Sequence, residues 1–196
     1  MRCIVCGRKV DSQDFSTVLG PTCENCVPRG EAIPFQIRHA TSSEDNQFVL
    51  QFLDDLFGET EFIEFGKWYR VEDMRKLVAV GKDGEYVGFA VYLVEDVDLM
   101  TLLTINVARD FLRRGIASAL LEEVKRVARE SGLKEIRVPI SNDDLASYIF
   151  YHRRGFRLYG IDVDLCTKRH GGEEEGFWKL PLRDELYLIH PLSDGA

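Results

Sequence analysis

The stretch Thr104 to Ser118, Thr-Ile-Asn-Val-Ala-Arg-Asp-Phe-Leu-Arg-Arg-Gly-Ile-Ala-Ser, constrains this chain more than any other. Its first four residues read as the end of a buried strand. An amphipathic pattern starts after Gly115, with apolar residues at Ile116, Leu120, Leu121, Val124, Val127 and Ala128, and reads as a helix. A strand therefore feeds a helix through a short basic turn. The first N–H groups of a helix have no intrahelical partner, and the macrodipole makes that end attractive to anions. Two readings follow for Arg113 to Ser118. One is a cradle for a phosphate or pyrophosphate, with Gly115 and Ala117 keeping side-chain bulk away from the ligand; the other is a tight strand-to-helix turn that binds nothing.

A second stretch, Asn-Asp-Asp-Leu-Ala-Ser-Tyr-Ile-Phe-Tyr-His-Arg-Arg-Gly-Phe at residues 142–156, favours the cradle. The pair resembles the cofactor-binding motifs of the GNAT N-acetyltransferases, Arg/Gln-x-x-Gly-x-Gly/Ala followed by Asn-x-x-Ala-x-x-x-Tyr-x-x-x-Gly-Phe. Gly115 and Ala117 match the first motif; Tyr151, Gly155 and Phe156 match the second. A helix and a strand lie between them, as the family requires. Three positions depart from the pattern: Leu112 at Arg/Gln, Asp144 at Asn and Ser147 at Ala. Asn142 is the substitute for the residue that fixes the loop. The resemblance runs over roughly residues 36–192, and Pro181 to Leu186 is similar to a tail found in part of the family.

What the resemblance implies is a GNAT acyl-CoA N-acyltransferase fold of the α/β (α+β) class, a mixed central sheet flanked by helices. Acetyl-CoA would lie where the strand ending at Val107 splays from the next parallel strand. The backbone of Ile105, Asn106 and Val107 would hold the pantetheine and the thioester carbonyl, because opened strand edges expose N–H and C=O groups that need partners. Arg113, Arg114, Gly115, Ile116, Ala117 and Ser118 would hold the pyrophosphate, with Asn142 and Arg153 as further cofactor contacts. Tyr151 stands where the family places a tyrosine that gives a proton to the departing thiolate, a role suited to a phenol that stays protonated at neutral pH. Without the motif, Ile105 and Val107 are ordinary core-strand residues, Tyr151 a core tyrosine, and Arg153 and Arg154 cations favoured by the end of a helix.

No general base is assigned. Some family members carry a Glu at a position that aligns with Thr101, which cannot do that work, and Glu95, Asp96 and Asp98 lie just upstream. His39, His152, His170 and His190 have no spacing that suggests a metal or a triad. Cys166 is the odd cysteine, read as a small half-buried apolar residue rather than a thiol near the cofactor.

The other four of the five cysteines fall in the first 26 residues. Cys3, Cys6, Cys23 and Cys26 form C-x2-C-x16-C-x2-C, the spacing of a zinc ribbon, in which two tight turns each bring a pair of thiolates to one tetrahedral ion. Iron has the same ligand preference. Four cysteines leave no site for substrate, so the expected metal is structural Zn2+ in a segment of residues 1–32, separated by Pro28, Gly30 and Pro34 from an acetyltransferase domain of residues 33–196.

Elsewhere the pattern predicts a strand over 36–40, a capping box at Thr41 to Glu44, a helix with Phe48, Val49, Phe52, Leu53 and Leu56 inside, and its stop at Gly58. A second helix is expected within 59–75. A hairpin turns at Lys82-Asp83-Gly84, a strand spans 99–107, and further strands cover 134–139, 156–163 and 185–189. Asn142 or Asp143 is expected to cap the helix of Tyr151, and 164–182 to be a long loop, either a flap or disordered.

These readings converge on an acetyl-CoA-dependent N-acetyltransferase acting on a primary amine. The alternative is a non-catalytic acyl-CoA sensor whose zinc ribbon recruits protein or nucleic acid. The net charge of −8 argues against binding nucleic acid or an anionic membrane broadly, and the absence of a long apolar run or a signal-like start points to the cytoplasm. From Glu44 to Asp98 there are 14 acidic and 5 basic residues, against 7 acidic and 11 basic from Arg109 to Arg157. That asymmetry points to a cationic acceptor: a basic peptide, a protein or a polyamine.

Overall fold

The computed structural model describes residues 33–192, which fall into two compact units, one of residues 33–136 with Leu192 and one spanning Arg137–Pro191. In the first unit, β1 (Phe35–His39), α1 (Ser43–Phe57), β2 (Glu61–Glu64), β3 (Lys67–Arg70), β4 (Arg75–Gly81), β5 (Tyr86–Val94), β6 (Leu99–Val107) and α2 (Ile116–Glu130) follow one another. β1, β4, β5 and β6 make an antiparallel array in that order.

The apolar runs Leu77 to Val80 and Val87 to Leu93 do not alternate with polar residues, because both faces of β4 and β5 are covered. On one face Val78, Phe89 and Val91 pack with Val49 and Leu53 of α1, and with Tyr69, Val71 and Met74. On the other, α2 lies across β4, β5 and β6 with Ile116, Leu120, Leu121 and Val124 buried. Gly88 makes the close approach possible: a Cβ there would stand 2.8 Å from the Asn106 carbonyl oxygen and 3.2 Å from Ile116 Cγ2.

α1 starts at a capping box and stops at Gly58, whose φ of 74° and N–H to the Asp54 oxygen (2.8 Å) close the helix. The box is shifted by one residue from its expected place: Ser42 is the N-cap and Asp45, not Glu44, supplies the returning carboxylate. The helix expected within 59–75 is instead the β2–β3 hairpin and a 3-10 turn, Val71–Asp73. Phe65 (φ 52°) and Gly66 (φ 69°) form its left-handed turn. The paired side chains suit a sheet, with Phe62 opposite Tyr69, Ile63 opposite Trp68, and Glu61 opposite Arg70 at 3.1 Å.

The second unit takes in β7 (Glu135–Ser141) from Arg137 onward, then α3 (Leu145–His152), β8 (Arg157–Asp162), α4 (Leu165–His170), β9 (Glu174–Glu175), β10 (Pro181–Leu182) and β11 (Glu185–Pro191). Its strands run in the order β7, β11, β8, and β11 pairs antiparallel with β8. The segment 164–182, expected to lack structure of its own, holds α4 and the small β9–β10 hairpin. It is pinned from the end of β7. Asn142 donates to the Pro181 oxygen (2.9 Å) and accepts from the N–H groups of Arg183 (2.8 Å) and Asp184 (2.9 Å), while Asp143 accepts from Phe177 N–H (2.7 Å). With both residues engaged there, the cap of α3 falls to Asp144, which accepts from Ser147 N–H at 2.9 Å.

Candidate active site

In the first unit the site begins on β6. Ile105, Asn106 and Val107 pair with Ala90, Phe89 and Gly88 of β5, so one backbone edge is used. The register slips between Val91 and Tyr92, leaving Leu103 as an extra residue on β6. Such a bulge sharpens the local twist of a strand. The chain leaves β6 through a 3-10 turn, Arg109–Phe111, and reaches α2 by way of two left-handed residues, Arg113 (φ 64°) and Gly115 (φ 86°).

That turn suits an anion. α2 opens at Gly115 with no side chain capping it and no acidic residue in its first turn, so the positive end of a 15-residue helix is left uncompensated by its own sequence. Nothing lies within 4 Å of a Cβ built on Gly115, so the space in front of the turn is open. The Arg113 Nε is buried without a hydrogen-bond partner, a donor placed where it has nothing of the protein to bond. Arg114 sits over the Phe111 ring at 5.7 Å. The side chain of Ile116 is core, leaving only its backbone for a ligand, whereas Ala117 and Ser118 are half-buried.

In the second unit Tyr151 is buried on α3, with ring centroids 5.1 Å from Phe150 and 5.2 Å from Phe156. Burial raises its phenol above the ordinary value, and the Asp144 carboxylate adds to this while Arg154 opposes it, so the hydroxyl keeps its proton at any neutral pH. Desolvation likewise pushes the Asp144 carboxyl up, against the hydrogen bonds from Ser147. Gly155 (φ 88°) ends the helix where a Cβ would stand 3.1 Å from the His190 ring. Arg154 is committed locally: its guanidinium lies 3.9 Å over the Phe150 ring and donates to the Phe150 oxygen (2.9 Å). Arg153 is exposed at the end of α3. Cys166 is buried, as a small apolar residue would be. Cys3, Cys6, Cys23 and Cys26 lie outside the described residues.

Sequence reasoning left one cluster unassembled. Thr101 Oγ1 donates to Glu95 Oε1 at 3.0 Å, the Tyr69 hydroxyl donates to the same oxygen, and Lys67 Nζ stands 3.2 Å from Glu95 Oε2. Tyr69 comes from the stretch that was expected to be helical, so no sequence pattern joined it to Glu95.

The model of the acetyltransferase (GNAT) family matches residues 41–156, more than half of the chain. This chain belongs to the acetyltransferase (GNAT) family. Among its relatives, the Bacillus subtilis (strain 168) protein YxbD is 25% identical over 157 residues, covering 78% of this chain and 97% of that protein. The streptothricin acetyltransferase of Streptomyces lavendulae is 32% identical over 94 residues, 47% of this chain and 50% of that enzyme. A GNAT family acetyltransferase from Elizabethkingia anophelis, solved with acetyl-CoA bound, matches 81% of this chain and 98% of its own at 18% identity, with a TM-score of 0.66. Nourseothricin acetyltransferase matches 81% of this chain and 98% of its own at 22% identity and a TM-score of 0.58. The GNAT chain accordingly has the α/β fold of its family, a mixed central sheet flanked by helices, and it is an acetyltransferase. Among the described residues, no helix of this GNAT protein is long and apolar enough to cross a membrane.

Proposed function

We propose that this chain transfers an acetyl group from acetyl-CoA to a primary amine by direct attack of the amine on the thioester. The observations that support the reading are the uncapped start of α2 and, in the turn that leads into it, the buried Arg113 Nε with no hydrogen-bond partner, on a chain of this family. The pyrophosphate rests on the turn from Arg113 to Ser118, with Arg114 adding charge. The backbone of Ile105, Asn106 and Val107 holds the pantetheine arm and polarises the thioester carbonyl, which develops negative charge as the amine attacks. Tyr151, kept protonated by burial, donates to the departing thiolate. Arg153 reaches the outer phosphates, and Asn142 serves by holding 181–184 in place. Binding energy and orientation supply most of the acceleration.

The acceptor in this reading is a cationic amine. The relatives named for streptothricin and nourseothricin make those two compounds the first substrates to try. Cys3, Cys6, Cys23 and Cys26 hold a structural zinc ion, a donor set of four thiolates that fits that metal and leaves it no catalytic position. Residues 1–32 then form a separate small module ahead of the acetyltransferase domain at 33–196, in a cytoplasmic enzyme.

Calorimetry and thiol release test the reading. Gly115→Glu puts bulk and negative charge against the phosphates and should abolish acetyl-CoA binding, while Gly115→Ala, which adds only the strain of a left-handed alanine, of about 1 kcal/mol, should weaken it modestly. Tyr151→Phe should keep acetyl-CoA affinity and lower kcat by roughly 10- to 10³-fold. Unchanged affinity in Gly115→Glu would rule out the placement of the cofactor.

A further inference from the structure

β8 ends the strand order of the second unit. It pairs with β11 on one side and, among the described residues, with no strand on the other. Leu158 (42%), Tyr159 (48%) and Ile161 (52%) are exposed along it, and Val163 (61%) is exposed just past its end. Single exposed apolar residues are ordinary, but these lie together on a strand whose outer N–H and C=O groups have no ladder partner. β1, which ends the array of the first unit, shows the usual protection of an edge: the side chains it exposes are Gln36, Arg38 and His39.

Pairing with β11 lines the aliphatic side chains up. Ile161 faces Leu186 and Leu158 faces Leu188, because the register slips between Tyr187 and Leu188 and takes up Tyr159 as an extra residue on β8. Leu186 and Leu188 lie two apart on β11 and so point to one face, which puts Leu158 and Ile161 in one stripe beside them, with Val163 two residues further on. Tyr159 stands with Tyr187, ring centroids 6.1 Å apart. Opposite charges bound the stretch. Arg157 opens it and Asp164 closes it; both are exposed, and neither side chain has an ion-pair partner among the described residues. Asp162, between them, is engaged by the Tyr187 hydroxyl at 3.5 Å.

We propose that β8 is an isologous dimer interface, on which the β8 strand of a second copy of this chain adds antiparallel about a two-fold axis near Ile161. The distribution of charge selects this occupant. A strand that is positive at its start and negative just past its end complements itself in the antiparallel sense, so a second copy sets Arg157 of each chain beside Asp164 of the other. Parallel addition would set like charge against like. The same addition satisfies the open backbone edge and runs the aliphatic stripe of one copy into that of the other. The bulge at Tyr159 leaves Gly160 to Val163 as the regular part of the edge, which is why the two-fold axis falls at Ile161 rather than at the middle of β8. One strand against one strand buries less than a standard interface, so the dimer is weak, with a Kd in the micromolar range.

Sedimentation equilibrium of the full chain from about 1 to 200 µM tests this. Wild type should pass from monomer to dimer over that range, and the amide hydrogens of residues 157–163 should exchange more slowly at the high end than at the low one. Ile161→Lys brings two ammonium groups together at the axis. It should raise Kd by about tenfold or more and keep the melting midpoint of the monomer, since Ile161 is half exposed. Arg157→Asp and Asp164→Lys should each weaken association several-fold, because each alone faces like charge in its own dimer. Mixed together, the two variants should form a mixed dimer as tight as wild type, since every contact is then of opposite sign. Wild type remaining monomeric across the range overturns the proposal, whether residues 1–32 of its own chain or another protein then prove to cover β8. A dimer whose Kd is unmoved in Ile161→Lys also overturns it, as does a mixture that associates no better than either variant alone.

Discussion

Asp45 is fully buried, and five hydrogen bonds from four groups of its neighbourhood explain how it stays charged. Arg38 grips both carboxylate oxygens at 2.6 and 2.7 Å, the N–H groups of Thr41 and Ser42 donate at 2.9 and 3.1 Å, and the Tyr86 hydroxyl donates at 2.8 Å. The Arg38 hydrogen bond, ahead of the others, holds this carboxyl far below the usual carboxylate range. A depressed folded-state pKa means that the stabilisation is fully present above the unfolded value of about 3.9 and is lost as pH falls through the folded one. Asp45→Asn should therefore destabilise the protein at pH 7 by about 3 kcal/mol. Between pH 6 and pH 3 its denaturant midpoint should fall less steeply than that of wild type. Parallel acid limbs for the two proteins would mean that Asp45 is not the group being titrated. The sequence placed a capping box here and missed its register, because Glu44 and Asp45 are equally good acceptors by local pattern. What selects Asp45 is Arg38 on β1, a contact the local pattern does not contain.

Elements whose character is set by their own residues were legible. β6 occupies the expected 99–107, α2 starts after Gly115 as its apolar spacing demands, and the turn at Lys82-Asp83-Gly84 joins β4 to β5. Residues 59–75 were not legible: Phe65-Gly66 is an uncommon turn pair, and acidic and aromatic residues suit either a helix or a charged, aromatic hairpin until cross-strand partners are known. The segment 164–182 was missed for a similar reason, since Asn142 and Asp143 anchor it from residues 20 or more positions away. The same dependence on distant partners hid the Glu95 cluster, whereas the anion turn of α2 was readable because one continuous stretch builds it. Gly88 shows how tightly these elements meet. A valine there drives Cβ against the Asn106 carbonyl, which is backbone and cannot rotate away, so β5 and β6 must part or α2 must lift. Gly88→Val should cost about 3 kcal/mol, read as a lower melting midpoint, and should also weaken acetyl-CoA binding through the displaced end of β6. A wild-type midpoint in that variant would show that α2 can shift without penalty.

Over the whole molecule, charge is divided along the chain in a way that suits two ligands of opposite sign. The 14 acidic and 5 basic residues from Glu44 to Asp98 belong to the first unit, and Asp54, Asp55, Glu59, Glu61, Glu72 and Asp73 among them are exposed. The 11 basic and 7 acidic residues from Arg109 to Arg157 include the turn proposed for the pyrophosphate. Part of the acidic surface is neutralised locally, as Arg70 faces Glu61 at 3.1 Å and Glu72 at 3.8 Å, and exposed pairs of this kind are worth at most about 1 kcal/mol each. The remaining negative field falls off over a Debye length of roughly 8 Å at physiological salt, so it acts on the approach of an acceptor more than on its final contacts. Amines of matched nucleophilicity but different net charge should consequently rank by charge, the most cationic showing the highest kcat/KM at low salt. Raising ionic strength to about 0.5 M should compress that ranking several-fold, mainly through KM, and leave the kcat of a neutral amine nearly constant. A competition assay read by mass spectrometry at both salt concentrations measures this directly. Neutral or anionic amines winning at both, or a ranking that ignores salt, would mean that the acidic face serves solubility and that the acceptor is chosen by shape.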